Sequence, residues 1–181
     1  MSNQIRLSIE DSVRFIKQQV TTLKLGNFET VEELRQALLE SGCTLNREIN
    51  EVIDKLAADS DFTLTSGTDK LDIHMSTSAQ LGYSGKCPLF ELFAAIRDIG
   101  GVGLSVEAGL QHVLQSPRQF MGYEQLIYQL PIPQFVDGYP TVFRVEDHYG
   151  ERYLNCYLVG AEYVCRGDEV LVFGFRPNEG C

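Results

Sequence analysis

Cysteine and histidine are the residues of this chain whose chemistry could serve catalysis, redox change or metal binding. The five cysteines are Cys43, Cys87, Cys156, Cys165 and Cys181. None of them forms a CxxC motif, so the sequence has no zinc-ribbon or thioredoxin-type signature. An odd number of cysteines without such motifs is typical of reduced cytosolic thiols.

Cys87 is the best-placed candidate for nucleophilic chemistry. It directly precedes Pro88, the expected first residue of an apolar helix over 88–99, so we expect Cys87 at the helix N-cap. A helix N-terminus lowers the pKa of a thiol and so activates it. Nucleophilic catalysis also needs a histidine base, and none lies near Cys87 in the sequence. An ordinary cysteine at a helix start is the competing interpretation.

The sequence predicts no metal site and no cofactor. His74, His112 and His148 are isolated from one another and from the cysteines, and we expect them in loops or on the surface. The glycines of segment 100–103 lack the spacing of a dinucleotide-binding or phosphate-binding loop.

Apolar periodicity predicts three helices in the first third of the chain. The first helix has one apolar face formed by Ile9, Val13, Ile16, Val20 and Leu23. The second begins at Thr30, with Glu33 completing a capping box, and ends at Gly42. The third is capped by Thr44. Segments 62–65 and 70–75 then alternate with period two, which predicts a short β-hairpin.

The remaining chain is expected to be helical first and then β-rich. Helices are predicted from Pro88, from Ser105 and from Ser116, the last ending near Leu130. Four strand-like runs follow, at 141–146, 152–159, 161–165 and 169–175. We therefore predict an α+β fold. It has an N-terminal helical subdomain with a hairpin (1–79), and further helices packed with a C-terminal four-stranded antiparallel meander (80–181). The two parts could also form one compact unit.

A tight turn at Gly160-Ala161 would set the register of this meander. Cys156 would then face Cys165 at a non-hydrogen-bonded pair, where Cα atoms approach to about 4.5 Å. A disulfide is geometrically possible at that separation, so Cys156 and Cys165 are a candidate redox pair. Two small apolar thiols that fill one face of the sheet are the alternative interpretation.

The other face of the meander is unusually rich in aromatic residues. It would carry Tyr153, Tyr157, Phe173 and Phe175, whereas a sheet with one solvated face has more polar residues there. We expect this face to be covered by helices of the same chain, by a second subunit or partner protein, or by a ligand. The four aromatic residues are therefore candidate protein contacts.

The charge pattern argues against nucleic acid. The chain has a net charge of −10, and segment 28–61 contains nine acidic and three basic residues. The predicted order of helices and hairpin over 8–75 resembles the order in winged-helix DNA-binding domains, but its reader helix carries Glu48 and Glu51. DNA binding needs several cations that face phosphates. We take Glu48 and Glu51 as candidate contacts to a partner protein instead.

We expect neither a signal peptide nor a membrane span. The N-terminus lacks the apolar region of a signal peptide, and the longest apolar run, 92–96, is far shorter than a membrane span. We expect a cytoplasmic, non-catalytic interaction module that binds a partner protein or a second copy of itself. The alternatives are a winged-helix regulator, and a small-molecule binder or enzyme with a pocket beside the C-terminal sheet.

Overall fold

The computed structural model describes residues 20–66, 69–83, 85–115, 124–129, 141–148, 151–158, 163–167 and 169–175. Its helices are α1 (Val31–Glu40), α2 (Arg47–Ala58), α3 (Leu89–Asp98) and α4 (Val106–Gln115). Its strands are β1 (Val20–Lys24), β2 (Cys43–Leu45), β3 (Lys70–Thr77), β4 (Cys87–Pro88), β5 (Gly101–Val102), β6 (Gln125–Tyr128), β7 (Thr141–His148), β8 (Glu151–Leu158), β9 (Val164–Cys165) and β10 (Val170–Phe175).

Eight of these strands form one mixed sheet. The order along the sheet is β1-β3-β10-β6-β7-β8-β2, and β5 pairs with the end of β10. Most pairs are antiparallel, but β10 runs parallel to β6 and β2 runs parallel to β8. Strands β4 and β9 form a separate antiparallel sheet of two strands, which we call the small sheet. The fold is therefore α+β, as predicted.

The predicted four-stranded meander is wrong. Only β7 and β8 pair as expected, with Phe143 opposite Cys156. Strand β10 lies in the middle of the large sheet, between β3 and β6. Its consecutive residues Leu171, Val172 and Phe173 are all fully buried, so it needs cover on both faces, which an edge strand of a meander would lack.

Helices of the same chain cover both faces of the large sheet. Neighbouring residues of β10 lie in different core clusters, because successive side chains of a strand point to opposite faces. Val172 belongs to the cluster that contains the buried residues of α1, α2 and α4. Leu171 and Phe173 belong to the cluster formed with α3.

The predicted second helix is confirmed as α1. The Thr30 side chain accepts a hydrogen bond from the backbone N–H of Glu33, and Gly42 follows the helix with a φ of 81°. The third helix is confirmed as α2, but its cap is Asn46. Thr44 lies in β2 instead, because this short segment pairs with β8 before the helix starts.

The end of the predicted first helix is a strand. Residues 20–24 form β1, and the earlier part of that prediction lies outside the described residues. The β-branched run Val20-Thr21-Thr22 favours a strand, and pairing with β3 outweighs the helical spacing.

The predicted hairpin is also wrong, because β3 pairs with β1 and not with 62–65. These two differences remove the element order on which the winged-helix analogy rested.

The helix predicted from Ser105 is confirmed as α4, and the Ser105 hydroxyl accepts from the N–H of Ala108 at 3.1 Å. The helix predicted over 116–130 is wrong in the part that the structure describes, because Gln125–Tyr128 forms the strand β6. Residues 116–123 lie outside the described chain. Among the described residues, no helix has the length and apolar character to cross a membrane.

Phe173→Ala tests the central position of β10. We expect it to lower the free energy of unfolding by about 3–5 kcal/mol, because it empties a fully buried aromatic site. Chemical denaturation at neutral pH measures the change. Leu39→Ala, at a leucine that is 47% exposed on α1, is the control and should cost about 0.5 kcal/mol. Equal losses in the two variants would contradict the central placement.

Candidate functional site

Among the described residues, α3 shares its core cluster with the inner part of the large sheet. Further along β7 and β8, on the same side, Arg144, Glu146, Asn155 and Tyr157 share one face through the β7–β8 register. Glu124, just before β6, and Arg166, just after β9, join them through ion pairs. We call these six residues the charged sheet face.

Arg144 is the centre of this face. Its guanidinium forms ion pairs with Glu124 and, at 2.8 Å, with Glu146. Burial alone would lower the pKa of Arg144, but the hydrogen bond and charge of Glu124 raise it overall. Glu146 also accepts from Asn155 at 3.3 Å and lies 3.1 Å from His148. Arg144 is thus a permanent cation that is held in one position.

Glu124 connects this network to the neighbourhood of β9. It pairs with Arg166 as well as with Arg144, and its side chain is only 13% exposed. Arg166 in turn lies 3.7 Å from the buried carboxylate of Glu169. Glu169 accepts the backbone N–H of Arg166 at 2.6 Å. Burial raises the pKa of Glu169, while this hydrogen bond opposes the rise.

Tyr157 gives the charged sheet face an exposed aromatic ring. The ring is 37% exposed, and the guanidinium carbon of Arg144 lies 5.7 Å from its centroid. This is within the range of a cation–π contact. An exposed aromatic residue next to a fixed arginine can bind a partner by stacking and by hydrogen bonding.

The other predicted contact residues are less exposed than Tyr157. Phe173 is buried under α3, and Phe175 is half-buried with its ring against His74. Tyr153 lies opposite Glu146, on the same side of the sheet as Tyr157, but it is half-buried and its hydroxyl donates to Glu151 at 2.6 Å. The sequence-based interpretation placed the aromatic residues of β8 and β10 on the correct side of the large sheet. It missed that two strands separate β8 from β10.

Glu48 and Glu51 lie on α2, on the side of the sheet opposite the charged sheet face. Glu48 is exposed, and Glu51 accepts from Arg47 at 2.8 Å. The two predicted surfaces are therefore separate.

The thiol of Cys87 is not placed as predicted. Pro88 is the N-cap of α3, and Cys87 precedes it in β4. Burial raises the pKa of the Cys87 thiol to about 11, and the neighbouring carboxylate of Glu91 contributes to the rise. The thiol is therefore protonated at neutral pH, which opposes the activation expected at a helix start.

The predicted pairing of Cys156 with Cys165 is not formed. Cys156 faces Phe143 on β7, whereas Cys165 faces Cys87 across the small sheet. The two residues also belong to different core clusters. The prediction failed because it assumed that β8 and β9 pair around a tight turn.

Two of the three histidines are buried, contrary to expectation. His74 packs between the rings of Phe173 and Phe175. His112 is 1% exposed, and its Nε2 lies 2.8 Å from Oε1 of Gln125. Within the described part of the chain, no group of three histidine, cysteine, aspartate or glutamate residues could hold a metal ion.

Sequence reasoning missed Glu124, Arg144 and Glu146 as site residues. The available signal was the alternation along β7, where polar positions 144, 146 and 148 interrupt the apolar positions 143 and 145. The ion pairs that join β7 to Glu124 and Arg166 depend on which strands are neighbours in the sheet. No pattern within a few residues of these positions could have predicted them. The chain matches no protein-family model, no curated protein and no solved structure.

Glu124→Gln tests whether the ion pairs hold the charged sheet face together. We expect a loss of about 1–3 kcal/mol in the free energy of unfolding, because the partly buried guanidinium of Arg144 and the exposed guanidinium of Arg166 lose a shared carboxylate. Chemical denaturation at low and high salt measures it, and the loss should shrink with salt. Glu40→Gln on α1 is the exposed control and should change stability by about 0.5 kcal/mol or less. A loss as small as that of the control would contradict the prediction.

His112 should make stability depend on pH. Burial, opposed by the Gln125 contact, lowers the pKa of His112 from 6.5 to about 4. The folded state therefore resists protonation that the unfolded chain accepts. The contribution of His112 is fully present above pH 6.5 and is lost as the pH falls toward 4, by about 2 kcal/mol at pH 5.

Denaturation of the wild type and of His112→Gln between pH 7.5 and about 4.5 checks this prediction. The variant should lose less stability over this range than the wild type. Parallel pH profiles for the wild type and His112→Gln would count against it.

Proposed function

We propose that this chain is a non-catalytic protein-interaction module that binds its partner on the charged sheet face. The observation that carries the proposal is the exposed ring of Tyr157 beside the fixed guanidinium of Arg144. Tyrosine and arginine are enriched among the residues that dominate the binding energy of protein interfaces.

Preorganisation supports an interaction role for Arg144. Its side chain is held by Glu124 and Glu146, so it loses little conformational freedom when a partner binds. Its charge is already balanced by the two carboxylates. A partner that covered Arg144 with apolar groups alone would remove these charges from water without providing new hydrogen bonds, which costs binding free energy. The partner surface should therefore be polar and should bring its own hydrogen-bonding groups.

The charges around the site favour a basic partner. The described carboxylates of Glu124, Glu146 and Glu169 outnumber the guanidinium groups of Arg144 and Arg166. The chain as a whole carries a net charge of −10. Long-range attraction of a basic protein raises the association rate, and the acidic residues of α2 contribute to this field from the opposite side.

The cysteines support a cytoplasmic location and a non-catalytic role. Cys43, Cys87, Cys156 and Cys165 are free thiols, as is usual in a reducing compartment. Burial raises the pKa of Cys87 and of Cys165, so neither thiol is activated for catalysis in the folded protein.

Tyr157→Ala tests the proposal. The tagged wild type and variant are used to recover proteins from a lysate of the source cells, with quantification by mass spectrometry. We expect the recovery of a specific partner to fall at least tenfold with the variant, as for a residue that contributes more than about 1.4 kcal/mol. Thermal unfolding confirms beforehand that the variant is folded.

Leu39→Ala is the matched control, because Leu39 is also exposed but lies on α1, away from the charged sheet face. It should recover the same partner as the wild type. Sedimentation of the purified wild type and of Tyr157→Ala identifies the case in which the partner is a second copy of this chain. An unchanged set of recovered proteins together with an unchanged sedimentation profile would refute the proposal.

A further inference from the structure

The small sheet brings two cysteines from distant parts of the chain into register. Cys87 of β4 faces Cys165 of β9, and Pro88 faces Val164. The next pair along the ladder is Leu89 and Tyr163. It is hydrogen-bonded, because the backbone N–H of Leu89 donates to the carbonyl of Tyr163 at 2.9 Å. Pairs alternate along an antiparallel ladder, which makes Pro88 and Val164 a non-hydrogen-bonded pair and Cys87 and Cys165 a hydrogen-bonded one.

The presence of proline at position 88 is consistent with a non-hydrogen-bonded pair there. Proline has no N–H to donate, and a non-hydrogen-bonded position needs none. At the hydrogen-bonded position, Cα atoms are about 5.5 Å apart. This separation lies inside the range that a disulfide spans, and near its most common value.

Both side chains face the interior of the protein. Cys87 is 3% exposed and Cys165 is fully buried, and both belong to the core cluster under α3. Neither thiol forms a disulfide in this structure.

Each thiol has its own proton acceptor. Sγ of Cys87 lies 3.9 Å from Oε2 of Glu91, and the buried carboxylate of Glu169 is near enough to Cys165 to raise the pKa of its thiol. A carboxylate beside a thiol can take its proton when the sulfur reacts. The two other described cysteines lie in the opposite core cluster, out of reach of this pair.

We propose that Cys87 and Cys165 are an oxidation site that closes to a disulfide when the protein meets a peroxide. This inference is independent of the proposed function. The disulfide would join β4, which leads into α3, to β9, which leads into the central strand β10.

The reaction balances with one peroxide molecule. Cys87 passes its proton to Glu91, and its sulfur attacks one peroxide oxygen. The O–O bond breaks, a sulfenic acid forms on Cys87, and the leaving hydroxide takes the proton from Glu91 to become water.

Cys165 then passes its proton to Glu169, and its sulfur attacks the sulfenic sulfur. The S–O bond breaks and a second water molecule leaves with that proton. The two sulfurs together lose two electrons, which reduce the peroxide. Because both thiols are buried, the reaction proceeds only through local opening of the small sheet and should be slower than for an exposed thiol.

Peptide mapping of the full-length wild type after hydrogen peroxide treatment tests the proposal without any substitution. Trypsin cleaves after Lys86, Arg97, Arg152 and Arg166. Cys87 is thus released in one peptide, and Cys156 and Cys165 together in another. A disulfide between these two peptides, with a mass loss of two hydrogen atoms and reversal by a reducing agent, is the expected result.

Single variants assign the bond. Cys156→Ala should still form the link between the two peptides, whereas Cys165→Ala should not. The oxidised wild type should melt about 10 °C higher than the reduced protein, because the bond closes a long loop. An oxidised protein in which Cys165 is bonded to Cys156, or in which Cys87 and Cys165 remain open to alkylation, would overturn the proposal. So would a link that persists in Cys165→Ala.

Discussion

The position of β10 is the constraint on which the rest of this fold depends. This last described strand pairs with β3 on one side and with β6 and β5 on the other. Its residues Leu171, Val172 and Phe173 are fully buried, so both faces of the sheet must be covered at this point. The protein meets this requirement with helices of its own chain, α1, α2 and α4 on one face and α3 on the other. A strand with this sequence would expose large apolar groups at either edge of the sheet.

The charged sheet face follows from the limited reach of α3. Among the described residues, this helix shares its core cluster with Leu126 and Val142 and not with the outer part of β7 and β8. Polar residues occupy that part, and they satisfy one another through ion pairs between Arg144, Glu124 and Glu146. The small sheet lies at the start of α3, and Arg166 and Glu169 connect it to this network. The proposed interaction surface and the thiol pair are therefore neighbours, because both lie around the same helix.

Much of the local structure could be predicted because its signals lie within a few residues. Thr30 and Glu33 cap α1 through contacts inside one helical turn, and Ser105 does the same for α4. The alternation along β7 and β8 placed Tyr157 on the correct face. The candidate site was predicted only in part. Tyr157 was identified, but Phe173, which has the same alternation, is buried because β10 sits at the centre of the sheet.

The sequence by itself determined the helices α1, α2, α3 and α4, the pairing of β7 with β8, the α+β class and the acidic character of the chain. Periodicity, capping and charge are local or summed properties, so they need no knowledge of distant contacts. Only the tertiary structure decided that β10 lies between β3 and β6, and that Cys165 faces Cys87 and not Cys156. Those pairings join segments far apart in the chain. The pairings that form are those that bury the most apolar surface over the whole sheet, and no single segment of the sequence specifies that total.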